Sequence, residues 1–129
     1  MGPEDLYNYI RNFGFGAPTR VLLPGEVGGI VDPLKKWTKL SISRIPMGHE
    51  MTATPLQMIM AMSAIANRGV LMRPMLVDRV EDEHGRQLAK YPPVPVRRVV
   101  TEQAARDMTA ALKTVISQGG TSAKAQLEH

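Results

Sequence analysis

The sequence predicts an α+β fold that is mostly helical, with three main helices and one short β-hairpin. Three segments carry apolar residues at helical spacing behind a recognisable start. A turn at residues 83–86 separates two extended stretches, and a Gly- and Pro-rich segment at 17–33 is typical of a loop. The 129 residues, of which 43% are hydrophobic, are enough for one domain with its own core.

The first helix is predicted over residues 3–13. Pro3 suits the first helical position, and the carboxylates of Glu4 and Asp5 complement the positive end of the helix dipole. Gly14 and Gly16 end it, and the loop at 17–33 follows. A loop of this length is typical of a functional segment or of one that wraps a neighbour. Residues 37–45 show no clean period, and we predict a short extended piece there.

The central helix, between residues 54 and 69, has the clearest boundaries. Thr54 is an N-cap, Pro55 follows at the first helical position, and Gln57 completes a capping box. Gly69 is placed to end the helix in the left-handed conformation. The side chains between these caps are apolar on almost every side. We therefore expect a helix buried inside a larger body.

The last third of the chain predicts a hairpin and a third helix. A strand is predicted over 74–81, a turn over 83–86 and a returning strand over 87–91, and the prolines of 91–96 favour an extended backbone. The third helix begins near the N-cap Thr101 and ends at Gly119 and Gly120. Its apolar residues recur at helical spacing, which indicates an amphipathic helix.

Motifs that carry chemistry are missing. His49-Glu50 opens like a zinc-protease motif, but Ala53 stands where the second histidine belongs. His84 and His129 have no ligand spacing, there are no cysteines, and the glycines of 25–29 lack the ending of a phosphate-binding loop. We predict no metal, no cofactor and no catalytic residue. Composition and spacing alone stop at an α+β domain of unreadable function.

The charge distribution and the ends of the sequence argue against some classes of protein. The net charge is +4, but the basic residues are scattered and only 5% of residues are aromatic, so nucleic-acid binding is not expected. No signal peptide or transmembrane segment is expected either. The ending Leu127-Glu128-His129 is either native or the start of an expression-vector tail, so 126–129 are kept out of the fold prediction.

Several short segments, in order, resemble the transpeptidase domain of class B penicillin-binding proteins. The resemblance covers nearly the whole chain, and its strength lies in the order and spacing of the segments rather than in any one of them. The matching pieces are Tyr9-Ile-Arg-Asn-Phe-Gly-Phe-Gly16, Leu23-Pro-Gly-Glu26, Gly29, Trp37, Met47-Gly48, Thr54-Pro-Leu-Gln57, Ala64-Ile-Ala-Asn-Arg-Gly69, Pro74, Gly119-Gly-Thr121 and Ala125. Two segments depart from the family pattern: Thr19-Arg-Val-Leu22 and His49-Glu50.

The resemblance implies a serine acyltransferase that cross-links peptidoglycan stem peptides and is acylated by β-lactams. The family's three catalytic motifs, Ser-x-x-Lys, Ser-x-Asn and Lys-Thr-Gly, are absent from this sequence. The chain corresponds to the part of the domain between the second and third motifs. We therefore expect the isolated chain to be inactive. The loop of Met47, Gly48, His49 and Glu50 is a candidate border of the active-site groove, although a purely structural role fits it equally well.

Partners and location follow from the same resemblance. In a longer parent protein, we expect the rest of the transpeptidase domain to contact this chain, and stem peptides and β-lactams to bind that domain. The resemblance also implies a parent anchored in the inner membrane with the domain on the outer face. The isolated chain is expected to form homo-oligomers through exposed apolar faces. The alternative is a stand-alone, non-enzymatic interaction module on the same scaffold.

Overall fold

The computed structural model describes residues 1–116 and residue 120, and within them it confirms an α+β fold. Three longer helices are present: α1 (Pro3–Asn12), α3 (Pro55–Ala66) and α4 (Glu102–Val115). A single-turn helix, α2 (Ser41–Arg44), and two 3₁₀ turns, Leu34–Lys36 and Ile45–Met47, lie between α1 and α3. The strands are β1 (Ile30–Val31), β2 (Met51–Thr52), β3 (Val70–Met72), β4 (Arg79–Glu81), β5 (Gln87–Lys90) and β6 (Pro95–Arg98).

The strands form three separate antiparallel pairs among the described residues: β1 with β2, β3 with β6, and β4 with β5. The β4–β5 pair confirms the predicted hairpin, and its turn is closed by the Asp82 carboxylate, which accepts N–H bonds from His84 and Arg86. The predicted strand over 74–81 is wrong before residue 79. Pro74 has no N–H to donate, and only β4 finds a partner.

The extended piece predicted over 37–45 is also wrong, because this segment turns into α2 and a 3₁₀ turn. Hydroxyl groups hold it locally: the Thr38 N–H donates to Ser41 Oγ at 2.9 Å, and Ser43 Oγ donates to the Leu40 carbonyl at 2.8 Å. Short Ser/Thr bonds of this kind compete with strand pairing. Ser41 and Ile45 are then buried, which anchors the turn.

The central helix α3 has the predicted ends. The Gln57 N–H donates to Thr54 Oγ1 at 3.2 Å, and the Thr54 N–H donates to Gln57 Oε1 at 3.0 Å, which completes the capping box. Gly69 has a φ of +86°, and its N–H donates to the Ala64 carbonyl at 2.8 Å. The third helix α4 begins at the predicted cap, Thr101, and ends at Val115 rather than at Gly119, which lies outside the described residues.

The core is small and sits where α3 meets the β3–β6 pair. Ala64, Leu71 and Val99 are buried there, and partly buried apolar side chains pack around them: Phe13, Met60 and Val100. The prediction that α3 is buried on all sides is wrong for this chain. Its face formed by Met58, Ile59 and Met62 is 52–62% exposed, because no described element covers it.

The segment after α1 folds back onto that helix. The Trp37 ring meets the Tyr7 ring edge-on at 5.7 Å, and its Nε1 donates to the Asp32 carbonyl at 3.0 Å. Arg11 donates to the carbonyls of Phe15 and Gly16 at 3.0 and 2.8 Å, which ties the turn after α1 to the helix. These contacts place β1 beside β2, and β2 leads directly into α3.

Candidate functional site

The loop predicted to border a groove, Met47–Glu50, lies on the surface between α2 and β2. Gly48 turns it with a φ of +89°, and Glu50 turns it again with a φ of +62°. All four residues are exposed, Met47 to 67%. A Cβ on Gly48 would meet no atom within 4 Å, so the backbone conformation rather than crowding accounts for glycine there.

The loop is fixed from below by α2. The N–H groups of Gly48 and His49 donate to the carbonyls of Ile45 and Arg44 at 2.9 and 3.1 Å. Arg44 Nη1 lies 3.3 Å from Glu50 Oε1. Hydrogen bonding from the Ser41 hydroxyl, with Arg44 adding to it, lowers the pKa of Glu50. Glu50 is therefore an anion that closes the loop, and the charge of the neighbouring, exposed His49 imidazole contributes to the lowering of its pKa.

The described residues around this loop do not bring together the groups that acyl-transfer chemistry uses. Such chemistry needs a nucleophile, a base within hydrogen-bond reach and oxyanion donors. The nearby Ser41 is 1% exposed and faces Thr38 and Glu50, which closes it to a substrate. The described residues also hold no cluster of three or more His, Asp or Glu side chains that could bind a metal.

A second polar site, which sequence reasoning missed, lies in the loop before β1. The Glu26 carboxylate accepts from the Thr19 N–H and hydroxyl at 2.5 Å each, and from the Arg20 N–H at 2.9 Å. Gly25, with a φ of +77°, makes the turn that brings the carboxylate back. The motif Leu23-Pro-Gly-Glu26 predicts this turn. It does not predict that the Glu26 carboxylate accepts hydrogen bonds from Thr19 and Arg20.

The Glu26 contacts predict a pH dependence. The bond from the Thr19 hydroxyl is the main cause that lowers the pKa of Glu26, with the two N–H groups adding to it against desolvation. A carboxylate with a lowered pKa stabilises the fold above its unfolded pKa, and the effect is lost as pH falls through the folded pKa. We expect Glu26→Gln to lower the Tm at pH 7 and to differ less from wild type at pH 3. The control is Glu83→Gln, whose exposed carboxylate contacts only His84 at 3.6 Å.

A third site is Gln57, which is 1% exposed and joins three segments of the chain. Its Nε2 donates to the carbonyls of Gly14, Ala17 and Gly28 at 3.2, 2.9 and 2.6 Å. Its Oε1 remains in the capping box. Gln57 therefore fixes the start of α3 against both ends of the loop that carries Glu26. The sequence predicted its cap role, whereas these longer-range contacts had no local signal.

The three candidate sites are connected to one another through β1 and β2. The loop of Glu26 leads into β1, β1 pairs with β2, and β2 lies directly between the loop of Met47–Glu50 and the cap of α3. None of the helices in the described part of the chain is long and apolar enough to cross a membrane.

Comparison with known proteins relates this architecture to a family. A model of the penicillin-binding protein transpeptidase domain matches residues 1–129. Penicillin-binding protein PbpB of Mycobacterium tuberculosis is 34% identical over 118 residues, which are 92% of this chain and 17% of that protein. Peptidoglycan D,D-transpeptidase FtsI of Escherichia coli K12 is 28% identical over 128 residues, which are 99% of this chain and 20% of that protein.

A solved structure shows the same fold. Penicillin-binding protein 3 of Mycobacterium tuberculosis, complexed with ampicillin, superposes with a TM-score of 0.80 at 35% identity. The match covers 91% of this chain and 26% of that one. The chain thus spans about a fifth of the length of the curated relatives it matches. Nothing in these comparisons supports a stand-alone interaction module. The chain belongs to the penicillin-binding protein transpeptidase domain family.

Proposed function

We propose that this chain is the segment of a peptidoglycan D,D-transpeptidase that lies between its second and third catalytic motifs. The observation that carries the proposal is the family match over residues 1–129, in a sequence that contains none of the three motifs. In this role the chain supports the catalytic part of the domain and supplies neither nucleophile nor base. The longer protein would act in peptidoglycan cross-linking, in division or cell shape, with stem peptides and β-lactams as its ligands.

The exposed face of α3 supports this scaffold role. Met58, Ile59 and Met62 are more than half exposed on a helix that has almost no polar side. An apolar helix of this kind is normally covered on all sides. We infer that the remainder of the transpeptidase domain covers this face. The same resemblance supports a parent anchored in the inner membrane with the domain on its outer face.

The proposal is tested by fluorescent penicillin labelling of the longest natural protein that carries this chain. We expect covalent labelling of that protein, competed by ampicillin, because the nucleophile is supplied outside residues 1–129. A reading frame that contains this chain but yields a protein that is not labelled would contradict the proposal.

The groove-border role of the Met47–Glu50 loop is tested in the same protein with His49→Ala. The His49 side chain makes no hydrogen bond or ion pair among the described residues and acts only electrostatically on Glu50, and its backbone bond to Arg44 survives the change. We expect acylation by fluorescent penicillin to slow about threefold to tenfold, the effect of losing one modest contact of about 1 kcal/mol, with an unchanged Tm. Lys39→Ala, an exposed change outside the loop, is the control. Unchanged acylation of His49→Ala would refute the role.

Self-association of the isolated chain stays a prediction of its apolar surface. Sedimentation velocity should show dimers or larger species that grow with concentration. Replacing Met58, Ile59 and Met62 by Gln should shift the chain towards monomer. Leu88→Gln, a change at a still more exposed apolar residue on the hairpin, should leave the distribution unchanged. A wild-type chain that is monomeric at every concentration would contradict the prediction.

A further inference from the structure

A cleft of about 530 Å³ lies between the turn after α1 and the β3–β6 pair. Four arginines are among the residues that line it: Arg11, Arg20, Arg73 and Arg97. No Asp or Glu is among the lining residues. Its remaining surface includes the apolar side chains of Met60 and Leu71. The volume is within the range of small-ligand pockets, about 300–1,000 Å³.

The arginines of this cleft differ in their ion pairing from most arginines elsewhere in the described chain. Of the six arginines elsewhere, Arg98 bonds only to backbone carbonyls among the described residues, and the other five form ion pairs with carboxylates: Arg44, Arg68, Arg79, Arg86 and Arg106. Among the described residues, no arginine of the cleft does so. The four arginines therefore concentrate positive charge in a concave site that no lining carboxylate offsets, with the Glu26 carboxylate bonded to the backbone N–H groups of Thr19 and Arg20 at its edge.

The cleft arginines are partly fixed and partly free. Arg11 is held by the carbonyls of Phe15 and Gly16, and Arg97 Nη1 donates to the Arg11 carbonyl at 3.3 Å. Arg20 and Arg73 are exposed, and within residues 1–116 and 120 their guanidinium groups make no hydrogen bond or ion pair. Arg20 has a φ of +64°, held by the bond from its N–H to Glu26. Two fixed and two unpartnered guanidinium groups therefore surround one cavity.

We propose that this cleft binds a polyvalent phosphate, either free or as the headgroup of an anionic lipid. The planar guanidinium fork matches phosphate oxygens in pairs, and each such bond is charge-assisted. A ligand with several linked phosphates offers more acceptor oxygens, spread over a greater length, than a single carboxylate, and can engage several of these arginines at once. This inference does not depend on the proposed transpeptidase role, since it rests only on the residues of the cleft.

The test is isothermal titration calorimetry of the 129-residue chain with inorganic tripolyphosphate at low ionic strength, where surface charges are least screened. We expect saturable binding to one site. The double variant R20Q/R73Q should raise the Kd about tenfold or more, since it removes two charged donors. The matched control R44Q/R106Q lowers the net charge equally outside the cleft and should change the Kd less than twofold. The cleft variant should keep the wild-type Tm, because neither of its side chains has a partner.

Three results would overturn the proposal: no detectable binding, equal weakening in both double variants, or a polyglutamate peptide that binds as tightly as tripolyphosphate. Vesicles that contain phosphatidic acid identify the source of the phosphate. Vesicle binding that tripolyphosphate competes away indicates a lipid headgroup. Binding of tripolyphosphate without binding of vesicles indicates a free phosphate. Labelling by penicillin is unaffected in each case, so failure here is distinct from failure of the transpeptidase proposal.

Discussion

Replacing Gln57 by Ala is expected to destabilise the chain by about 3 kcal/mol or more, the largest effect of a single substitution considered for this fold. The change leaves three partly buried carbonyls, of Gly14, Ala17 and Gly28, without their amide donor, and removes the acceptor of the Thr54 N–H. An unpaired buried polar group costs about 1–3 kcal/mol. Urea unfolding followed by circular dichroism measures the loss.

Two further variants separate hydrogen bonding from simple loss of a side chain. Gln103→Ala removes an amide that is exposed on α4 and bonded only to Asp107, so it should cost less than about 0.5 kcal/mol. Gln57→Glu keeps the shape of the side chain but places an oxygen against the three carbonyls. It should destabilise the chain more at pH 8 than at pH 5, because an ionised carboxylate is repelled by the three carbonyl oxygens and is disfavoured by burial. A Gln57→Ala loss no greater than that of Gln103→Ala would contradict the proposed role of the amide.

Gly69→Ala is expected to cost about 2–4 kcal/mol. Gly69 is buried with a φ of +86°, where an L side chain is strained by about 1 kcal/mol or more. Its Cβ would also overlap the carbonyl oxygen of Val100 and lie 3.1 Å from Val100 Cγ2. Relieving such overpacking costs typically a further 1–3 kcal/mol. Thermal and urea unfolding report the sum.

Gly85→Ala provides the matched control for this substitution. Gly85 has a φ of +76° in the hairpin turn, but a Cβ there would meet no atom within 4 Å. It should lose only the backbone term of about 1 kcal/mol. Equal losses at Gly69 and Gly85 would show that contact with Val100 contributes nothing, and would contradict the packing of α3 against the segment that precedes α4.

Local signals were sufficient for the starts of α3 and α4 and for the hairpin. Thr54 and Thr101 are caps whose partners lie within three residues, and the turn at 83–86 joins strands that are neighbours in sequence. Such contacts can be predicted because both partners lie within a short stretch of sequence. The same reasoning failed at α2, where competing bonds of Ser and Thr hydroxyls decide between turn and strand.

Contacts that join distant segments could not be predicted. The β3–β6 pair brings Val70 opposite Arg98, and the Gln57 amide reaches a carbonyl 43 positions earlier in the chain. No periodicity marks such a partner, because it depends on how the loop at 17–33 packs. The arginine cleft was missed for the same reason: its four arginines are scattered in sequence and meet only in the fold. For α3 the sequence pattern predicted more burial than the structure shows. Its apolar face is exposed because no described element of this chain covers it.

Residues 1–129 are proposed to be a scaffold segment of the transpeptidase domain that does not contain its nucleophile. Intact-mass spectrometry of the 129-residue chain after incubation with benzylpenicillin tests it most directly. We expect the mass not to change, since no Ser-x-x-Lys is present to form an acyl-enzyme. A stoichiometric mass increase of one penicillin, lost on denaturing the chain before incubation, would contradict it.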